Sequence, residues 1–425
     1  MNKRRMIEAG KSLLIAALTC SALWLTAQSP LFVHLPGVSG EERPGQTQLE
    51  GQSGQSSGVA MPMSMAVMNR GGLCGVQYTD QQLQLLFSQV APVLGEALSV
   101  AEAPEPVDRD RWQSALMTAP GVFLDFQTGI PLSVLTDWLS EGVNPRLTDS
   151  ARFLVLSGGE GSVRLYYRSQ RDGGYYVCRV SSVNADYLQT IAGQVQPNGA
   201  IFAYQSDHYR MVAPDTLISA QTPQPREFAV ANPLNGGEER LEELLERLSF
   251  PVGLTTVYDT TEGRRARSGN DTLTISDTGT VVYDGQGERY PVAQGADPLI
   301  SRVEAAKELV CGVLEPWCGQ ARIYLSRLDE LGPDRWRICF GYGLDNVPVH
   351  AGESGYAAQV LVEQGQIREL ELQLRSYSPL DGTTLLLPPR QAAAILEGTD
   401  RLGSRLELCY QETGDTAIAG WIAGE

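Results

Sequence analysis

Residues 335–374 read RWRICFGYGLDNVPVHAGESGYAAQVLVEQGQIRELELQL, and the way their side chains alternate decides the class of fold. Trp336, Ile338, Phe340 and Tyr342 alternate with Arg337, Cys339 and Gly341, the period of two that a strand imposes. Tyr356, Ala358, Val360 and Val362 alternate in the same way up to a Gln364–Gly365 turn. Leu370, Leu372 and Leu374 carry the pattern back on a returning strand. Each run presents one apolar face. The preceding segment, from Pro298 through Val303, Ala306, Leu309 and Val310 to about Leu314, has the spacing of a helix that covers such a face. Arg390 to Leu396 predicts a further helix, and RLELCY and the residues around 418–422 predict the closing strands.

Upstream the same logic repeats. EFAVAN predicts a strand and 238–248 a helix, and TLTIS and TVVYD are joined by an Asp277–Thr278–Gly279 hairpin turn. Arg264, Arg265 and Arg267 stand out in an acidic chain, and their Gly and Ser neighbours predict a solvated loop tip. Further upstream, Leu83, Leu86, Val90 and Leu94 mark a helix begun by Asp80, with Pro92 as an expected kink or break. A short helix carries Trp112, Leu116 and Met117; GVFLDF predicts a strand; and PLSVLTDWLS predicts a helix opened by Pro131. FLVLS, SVRLYYR and GYYVCRV follow as an antiparallel meander. Tyr166, Tyr167, Tyr175 and Tyr176 fall on adjacent strands of that meander, which favours cross-strand packing over a ligand-stacking platform. Met61, Met63 and Met65 alternate into a first strand; with no His or Cys among them they make a poor copper site.

The N-terminal residues are of another kind. Lys3, Arg4, Arg5 and Lys11 precede SLLIAALTCSALWLTAQSPLFV at 12–33, the one run suited to a bilayer. The charge asymmetry places the N-terminus in the cytoplasm and the rest outside. An uncleaved anchor fits better than a signal peptide: Leu25 stands where cleavage after Ala27 wants a small residue, and cleavage after Ala22 leaves an apolar LWLT behind. Residues 34–60 are mostly Gly, Ser, Gln, Glu and Pro, the composition of a flexible linker. The domain limits that follow are 1–33 for tail and anchor, 34–60 for the linker, and 61–214, 226–292 and 293–425 for three α+β units.

The chain of 425 residues carries a formal net charge of −17, which argues against a nucleic-acid partner. Its seven cysteines show no zinc or redox spacing. Cys178, Cys339 and Cys409 sit in strand-like runs and are expected as buried free thiols, while Cys311 and Cys318 are near enough in sequence to consider a bridge. Three histidines, His34, His208 and His350, give neither a metal motif nor a local triad. GESGY at 352–356 is not a nucleophile elbow, and Gly158, Gly159 and Gly161 form a turn between strands rather than a phosphate loop. The residues nominate no catalytic, metal or cofactor-binding group, and nothing among them asks for an external enzyme.

Several stretches carry a resemblance. SALWLT in the span, LLERLSFPVGLTTVYDTTEG at 244–263, TLTISDTGTVVYD at 272–284, RWRICFGYGLDNVPVH at 335–350, GYAAQVLVEQGQIRELELQLRSYS at 355–378 and LELCYQETGDTAIAGWIAGE at 406–425 resemble the YycH/YycI family of two-component regulators. The resemblance covers the anchor and about 227 to the end, and more faintly the first unit. It implies a single N-terminal transmembrane helix, then an ectodomain of antiparallel sheets each covered by helices, with repeated-looking units. It also implies no enzymatic activity and no cofactor. As partner it implies a membrane sensor histidine kinase governing cell-wall homeostasis, with a paralogous regulator beside it, reached through the transmembrane segment and the external domains. Within the span, Ala17 with Ser21 and Ala16 with Cys20 form two small-xxx-small stripes, the residues expected to contact a partner helix. The alternative reading is an extracytoplasmic protein that binds a ligand or cell-wall fragment in a cleft between units.

Overall fold

The computed structural model describes residues 58–424 apart from 141, 160, 262, 287 and 399–402. The anchor and most of the linker therefore lie outside the described residues. The first part of the chain contains strands β1 (Ser64–Asn69), β2 (Gly72–Val76), β3 (Glu105–Val107), β4 (Gly121–Pro131), β5 (Ser150–Gly159), β6 (Ser162–Ser169) and β7 (Tyr175–Asn184). They form one antiparallel sheet in the order β2-β1-β4-β5-β6-β7-β3. Helices α1 (Asp80–Val100), α2 (Arg109–Leu116), α3 (Leu132–Ser140) and α4 (Ala185–Gln194) are its covers.

This sheet is buried on both faces, which explains its uninterrupted apolar runs. In β5, Leu154 and Leu156 belong to the main core with Leu83, Val90 and Leu94 of α1. Phe153 and Val155 point the other way, into a second core built on Trp112 of α2, Phe123, Phe202 and Leu217. Leu217 lies in a two-strand ribbon, β8 (Ile201–Phe202) with β9 (Leu217–Ile218), that helps to close that side. The tyrosines pack across the strands as expected: Tyr167 pairs with Tyr176, their rings stacked 5.4 Å apart.

Pro92 does not break α1, which runs through it. An interior proline costs about 3 kcal/mol, but the buried face that includes Leu83, Leu86, Phe87, Val90, Leu94 and Leu98 returns about 1.5–3 kcal/mol per large side chain. By length and composition α1 is also long and apolar enough to cross a membrane. Its packing makes it a core helix: a Cβ on Gly95 would sit 2.6 Å from the Leu139 carbonyl oxygen of α3.

The second part adds β10 (Arg226–Ala231), β11 (Thr256–Thr260), β12 (Gly263–Ser268), β13 (Asp271–Ser276), β14 (Thr280–Asp284), β15 (Arg322–Gly332), β16 (Arg335–Leu344), β17 (Val347–His350), β18 (Ala358–Glu363), β19 (Gln366–Gln373), β20 (Ser376–Thr383), β21 (Arg405–Thr413) and β22 (Thr416–Gly424). Its helices are α5 (Glu238–Arg247), α6 (Pro298–Leu314) and α7 (Pro389–Gly398). All thirteen strands are hydrogen-bonded into one sheet, so residues 226–292 and 293–425 share a ladder, with β14 paired to β19 across the limit read from sequence. β16 is the trunk. β15 lines one edge along its length; β18 takes the other edge at 335–340 and β17 at 342–344, so the sheet forks there. A parallel ladder, β17 with β21, the one between strands among the described residues, carries the second arm onward.

Helix α6 spans the predicted residues, opened by Asp297, whose carboxylate accepts from the Leu299 and Ile300 amides. Its Val303, Ala306 and Val310 join the core with Ile338, Phe340, Val360 and Leu370. The single apolar face expected of β16 is an underestimate. Cys339 is fully buried on the opposite face, and Tyr324 lies so close over Gly341 that a Cβ there would meet its ring at 2.7 Å. The arginines at 264–267 also differ from expectation. They lie on strand β12, where pairing with β13 outweighs the loop-like composition, and Arg264 contacts Glu238 at 2.7 Å and Asp259 at 3.5 Å.

Among the contacts that fasten the halves, two lie at α3 and at residues 58–63. Trp138 of α3 donates its indole N–H to Glu304 of α6, and Lys307 lies over the Trp138 ring at 5.3 Å. The first described residues are clamped to β15: Arg322 donates to the carbonyl oxygens of Gly58 (3.2 Å), Met61 (3.3 Å) and Pro62 (3.0 Å) and reaches Met63 Sδ at 2.6 Å. Burial lowers the pKa of this guanidinium to about 10.

Two outcomes test this packing. Gly95→Val should lower stability by about 1–3 kcal/mol through overpacking between α1 and α3, measured by denaturant unfolding, whereas exposed Glu96→Ala should stay within about 0.5 kcal/mol. Equal effects would mean that the two helices are not in close contact. The cysteines give the second. Cys178, Cys339 and Cys409 are buried and free, and Cys311 and Cys318 are likewise unbridged. Burial raises the thiol pKa to about 12 at Cys178 and Cys339 and about 11 at Cys409. The thiolate that attacks a maleimide is therefore scarce at pH 8 as well as inaccessible. Labelling of the native chain at that pH should spare these three and reach them only after unfolding; modification before unfolding would contradict the packing.

Candidate binding cleft

Three strands become irregular at one place. β4 shifts register against β5 between Asp125 and Ile130, β5 shifts against β6 between Ala151 and Leu154, and β15 shifts against β16 between Leu325 and Arg327. Bulges of this kind re-aim side chains and cluster beside binding sites. In the β4 bulge Gln127 has φ +68°, a left-handed conformation uncommon for a residue with a side chain. Its amide donates to Asp125 Oδ1 at 2.8 Å, and its Nε2 donates to Glu407 Oε2 at 2.8 Å, which fixes the turn.

The bulges surround Arg152. Its Nε donates to Asp125 Oδ1 at 2.8 Å and its Nη2 to Asp125 Oδ2 at 3.0 Å. Nη2 also donates to Glu407 Oε1 at 2.6 Å, from β21 of the larger sheet. Side-chain exposures of 9 % for Arg152, 16 % for Asp125 and 12 % for Glu407 place the triad out of bulk water. Burial opposes the charge of Arg152, but the two carboxylates outweigh it and hold its pKa above the ordinary arginine range. Arg405, two residues before Glu407, lies over the Phe153 ring at 4.7 Å, and Arg152 lies over the same ring at 5.1 Å. Burial first, then the neighbouring Arg152 charge, lowers the pKa of Arg405 to about 10.

Arg168 of β6 stands at the margin with Asp215 Oδ2 at 3.7 Å, and Arg327 of β15 pairs with Asp329 at 2.7 Å. Arg152, Arg168, Arg327 and Arg405 line a cleft of about 590 Å³ between the two sheets. Gln127, Thr128, Ser169, Gln170 and Ser326 supply its neutral polar groups. Asp329 is the one carboxylate in the lining; Asp125, Asp215 and Glu407 are recessed behind the guanidinium groups. A larger cavity, about 830 Å³, runs beside α5, but its charged lining is the glutamates 239, 242, 243 and 246. A third, about 410 Å³, contains Arg226, already forked onto Asp345 at 3.0 and 2.8 Å. Among the described residues no group of three or more His, Cys, Asp and Glu side chains is placed to hold a metal ion.

Ala16, Ala17, Cys20 and Ser21, the site residues expected from sequence, lie outside the described residues. The tyrosine platform considered from sequence is occupied by its own stacking, with Tyr175 against Trp112 at 5.3 Å and Tyr176 against Tyr167. The arginines of the cleft were missed by sequence reasoning. The available signal was a charge inside an otherwise buried run, Arg152 in ARFLVLS and the Arg405–Glu407 pair in RLELCY, since such residues are rarely buried without partners.

The sheets, their covers and the cleft between them define an α+β protein of the YycH fold. No family model matches the sequence, and no curated protein matches it. Among solved structures the chain is similar to YycH from Bacillus subtilis, with a TM-score of 0.53 and 10 % identity, over 86 % of this chain and 95 % of that one. The family resemblance read from the sequence motifs is thus met at the level of the fold.

Asp215 provides a test by pH. Burial holds its carboxyl above the usual carboxylate range, although Trp112 Nε1 donates to it at 3.0 Å and nearby arginines favour its charge. A carboxyl whose pKa is raised on folding costs stability once pH rises through its unfolded value near about 4. Asp215→Asn keeps the acceptor for Trp112 and should raise Tm at pH 7, with the gain vanishing in acid. Asp215→Leu orphans the indole N–H and should cost about 1–3 kcal/mol. An Asn variant destabilised equally at pH 3.5 and 7 would contradict the assignment.

Proposed function

We propose that the chain is a non-enzymatic, extracytoplasmic regulatory protein that modulates a membrane sensor histidine kinase through its transmembrane helix and its ectodomain. The observation that carries this reading is the likeness to YycH across 86 % of the chain, joined to the family motifs of the sequence. The basic start, the apolar run at 12–33 and the Gly-, Ser- and Gln-rich linker support a single-pass topology with the N-terminus in the cytoplasm. A paralogous regulator is the second partner in this reading, and no nucleic acid is involved.

The membrane contact assigns a role to the small residues. In lipid, helices gain little from hydrophobic burial and associate by close packing, so Ala16, Ala17, Cys20 and Ser21 would form the face that meets a kinase helix. Ala17→Leu or Ser21→Leu should reduce co-purification of the kinase with the full-length chain by about tenfold. Both leave insertion intact because Leu favours the bilayer. Leu14→Ala and Leu25→Ala, off the stripes, should change it little. Kinase capture unaltered by both stripe variants would place recognition in the ectodomain instead, and loss of all kinase capture in the unaltered chain would sink the regulatory reading.

A further inference from the structure

We infer that the arginine-lined cleft between the two sheets is a binding site for a phosphorylated, hydroxyl-rich small molecule, such as a sugar or polyol phosphate. The inference stands apart from the kinase reading, because it rests on the cleft alone. In a chain of formal charge −17, four guanidinium groups converge on one concave surface whose lining holds a single carboxylate. A volume of about 590 Å³ suits a small organic ligand rather than a lone ion.

The charges are arranged for an anion. Asp125 and Glu407 hold Arg152 from behind, and Asp215 lies behind Arg168 with only 2 % of its side chain exposed. Arg152 and Arg405 both lie against the Phe153 ring, 5.1 and 4.7 Å from its centroid, and the charge of Arg152 acts on Arg405, so two like charges stand near one another. A phosphate seated between them would relieve that repulsion, and the planar guanidinium fork matches its oxygens. Arg168 and Arg327, at the two rims, are more exposed, at 35 % and 58 %, and are placed to close on the same group from opposite sheets.

The neutral lining argues for a body beyond the phosphate. Gln127, Thr128 and Gln170 offer amide and hydroxyl groups, the usual partners of sugar or polyol hydroxyls. Their backbone is built for the purpose: the β4 bulge carries Gln127 and Thr128 outward, and Gly129 permits Gln170 to lie within 2.9 Å of where a Cβ would stand. Because β4, β5 and β6 belong to one sheet and β15 and β21 to the other, the ligand would join both.

Calorimetric titration of the purified full-length chain tests this with glucose 6-phosphate, inorganic phosphate and glucose as probes. Glucose 6-phosphate should bind with a Kd of about 1 mM or tighter, more tightly than inorganic phosphate, while glucose gives no heat. Added salt should weaken the binding. Arg168→Gln with Arg327→Gln should raise the Kd at least about tenfold while the chain keeps a cooperative unfolding transition, and Arg327→Gln alone, whose side chain is 58 % exposed, should weaken binding without lowering Tm. Arg226→Gln, in the other cavity, should leave it unchanged. Absence of binding by either phosphate, the same Kd in the rim variant, or inorganic phosphate binding as tightly as the sugar phosphate would each overturn the inference.

Discussion

The guanidinium of Arg152, held between Asp125 of its own sheet and Glu407 of the other, is the contact on which the arrangement of the two sheets depends. The three residues come from β4, β5 and β21, and Arg152 and Glu407 lie 255 residues apart in sequence. Removing one partner from a buried group of this kind leaves an uncompensated charge, at a cost of about 3–5 kcal/mol. Such a network adds less to stability than an apolar replacement of equal volume would, but it has one geometry. It fixes how β4 and β5 face β21, which is what sets the shape of the cleft. The shared apolar core, which runs from Val59 to Ala419, supplies the bulk of the cohesion.

Around that contact the regular ladders give way. Three bulges open beside Arg152, and Gln127 takes a left-handed conformation to reach both Asp125 and Glu407. Irregularity of this sort costs free energy and persists where the surroundings over-determine it. Here the surroundings are the buried strands of two sheets, with Arg152, Asp125 and Glu407 fixed between them. β15 is common to several of these features: it pairs with β16 at the fork, lines the cleft through Ser326 to Asp329, and holds residues 58–63 through Arg322. A change in the cleft and a pull on residues 58–63 would therefore act on the same strand.

Much of the fold was legible where a periodicity had no competitor. Helix α6 was read from Pro298 to about Leu314 on the spacing of Val303, Ala306, Leu309 and Val310, and the structure adds the Asp297 cap that opens it. The strands of 335–374 were legible by alternation. What escaped was what depends on distant residues. Pro92 signalled a break that burial of α1 overrides, and Gly and Ser around Arg264 signalled a loop that pairing with β13 overrides. The continuity of residues 226–292 with 293–425 depends on the β14–β19 ladder, which no local pattern announces. The cleft escaped for the same reason: its arginines come from four strands, and only the fold brings them together.

Calorimetric unfolding of the full-length chain, before and after Arg152→Met, tests most directly whether the two sheets act as one unit locked at this contact. The account predicts a single cooperative transition in the unaltered chain, with calorimetric and van't Hoff enthalpies in agreement. Arg152→Met should lower that one transition, since Asp125 and Glu407 then lose their shared partner. Two separable transitions in the unaltered chain, or a variant in which only the seven-stranded sheet loses stability, would contradict it.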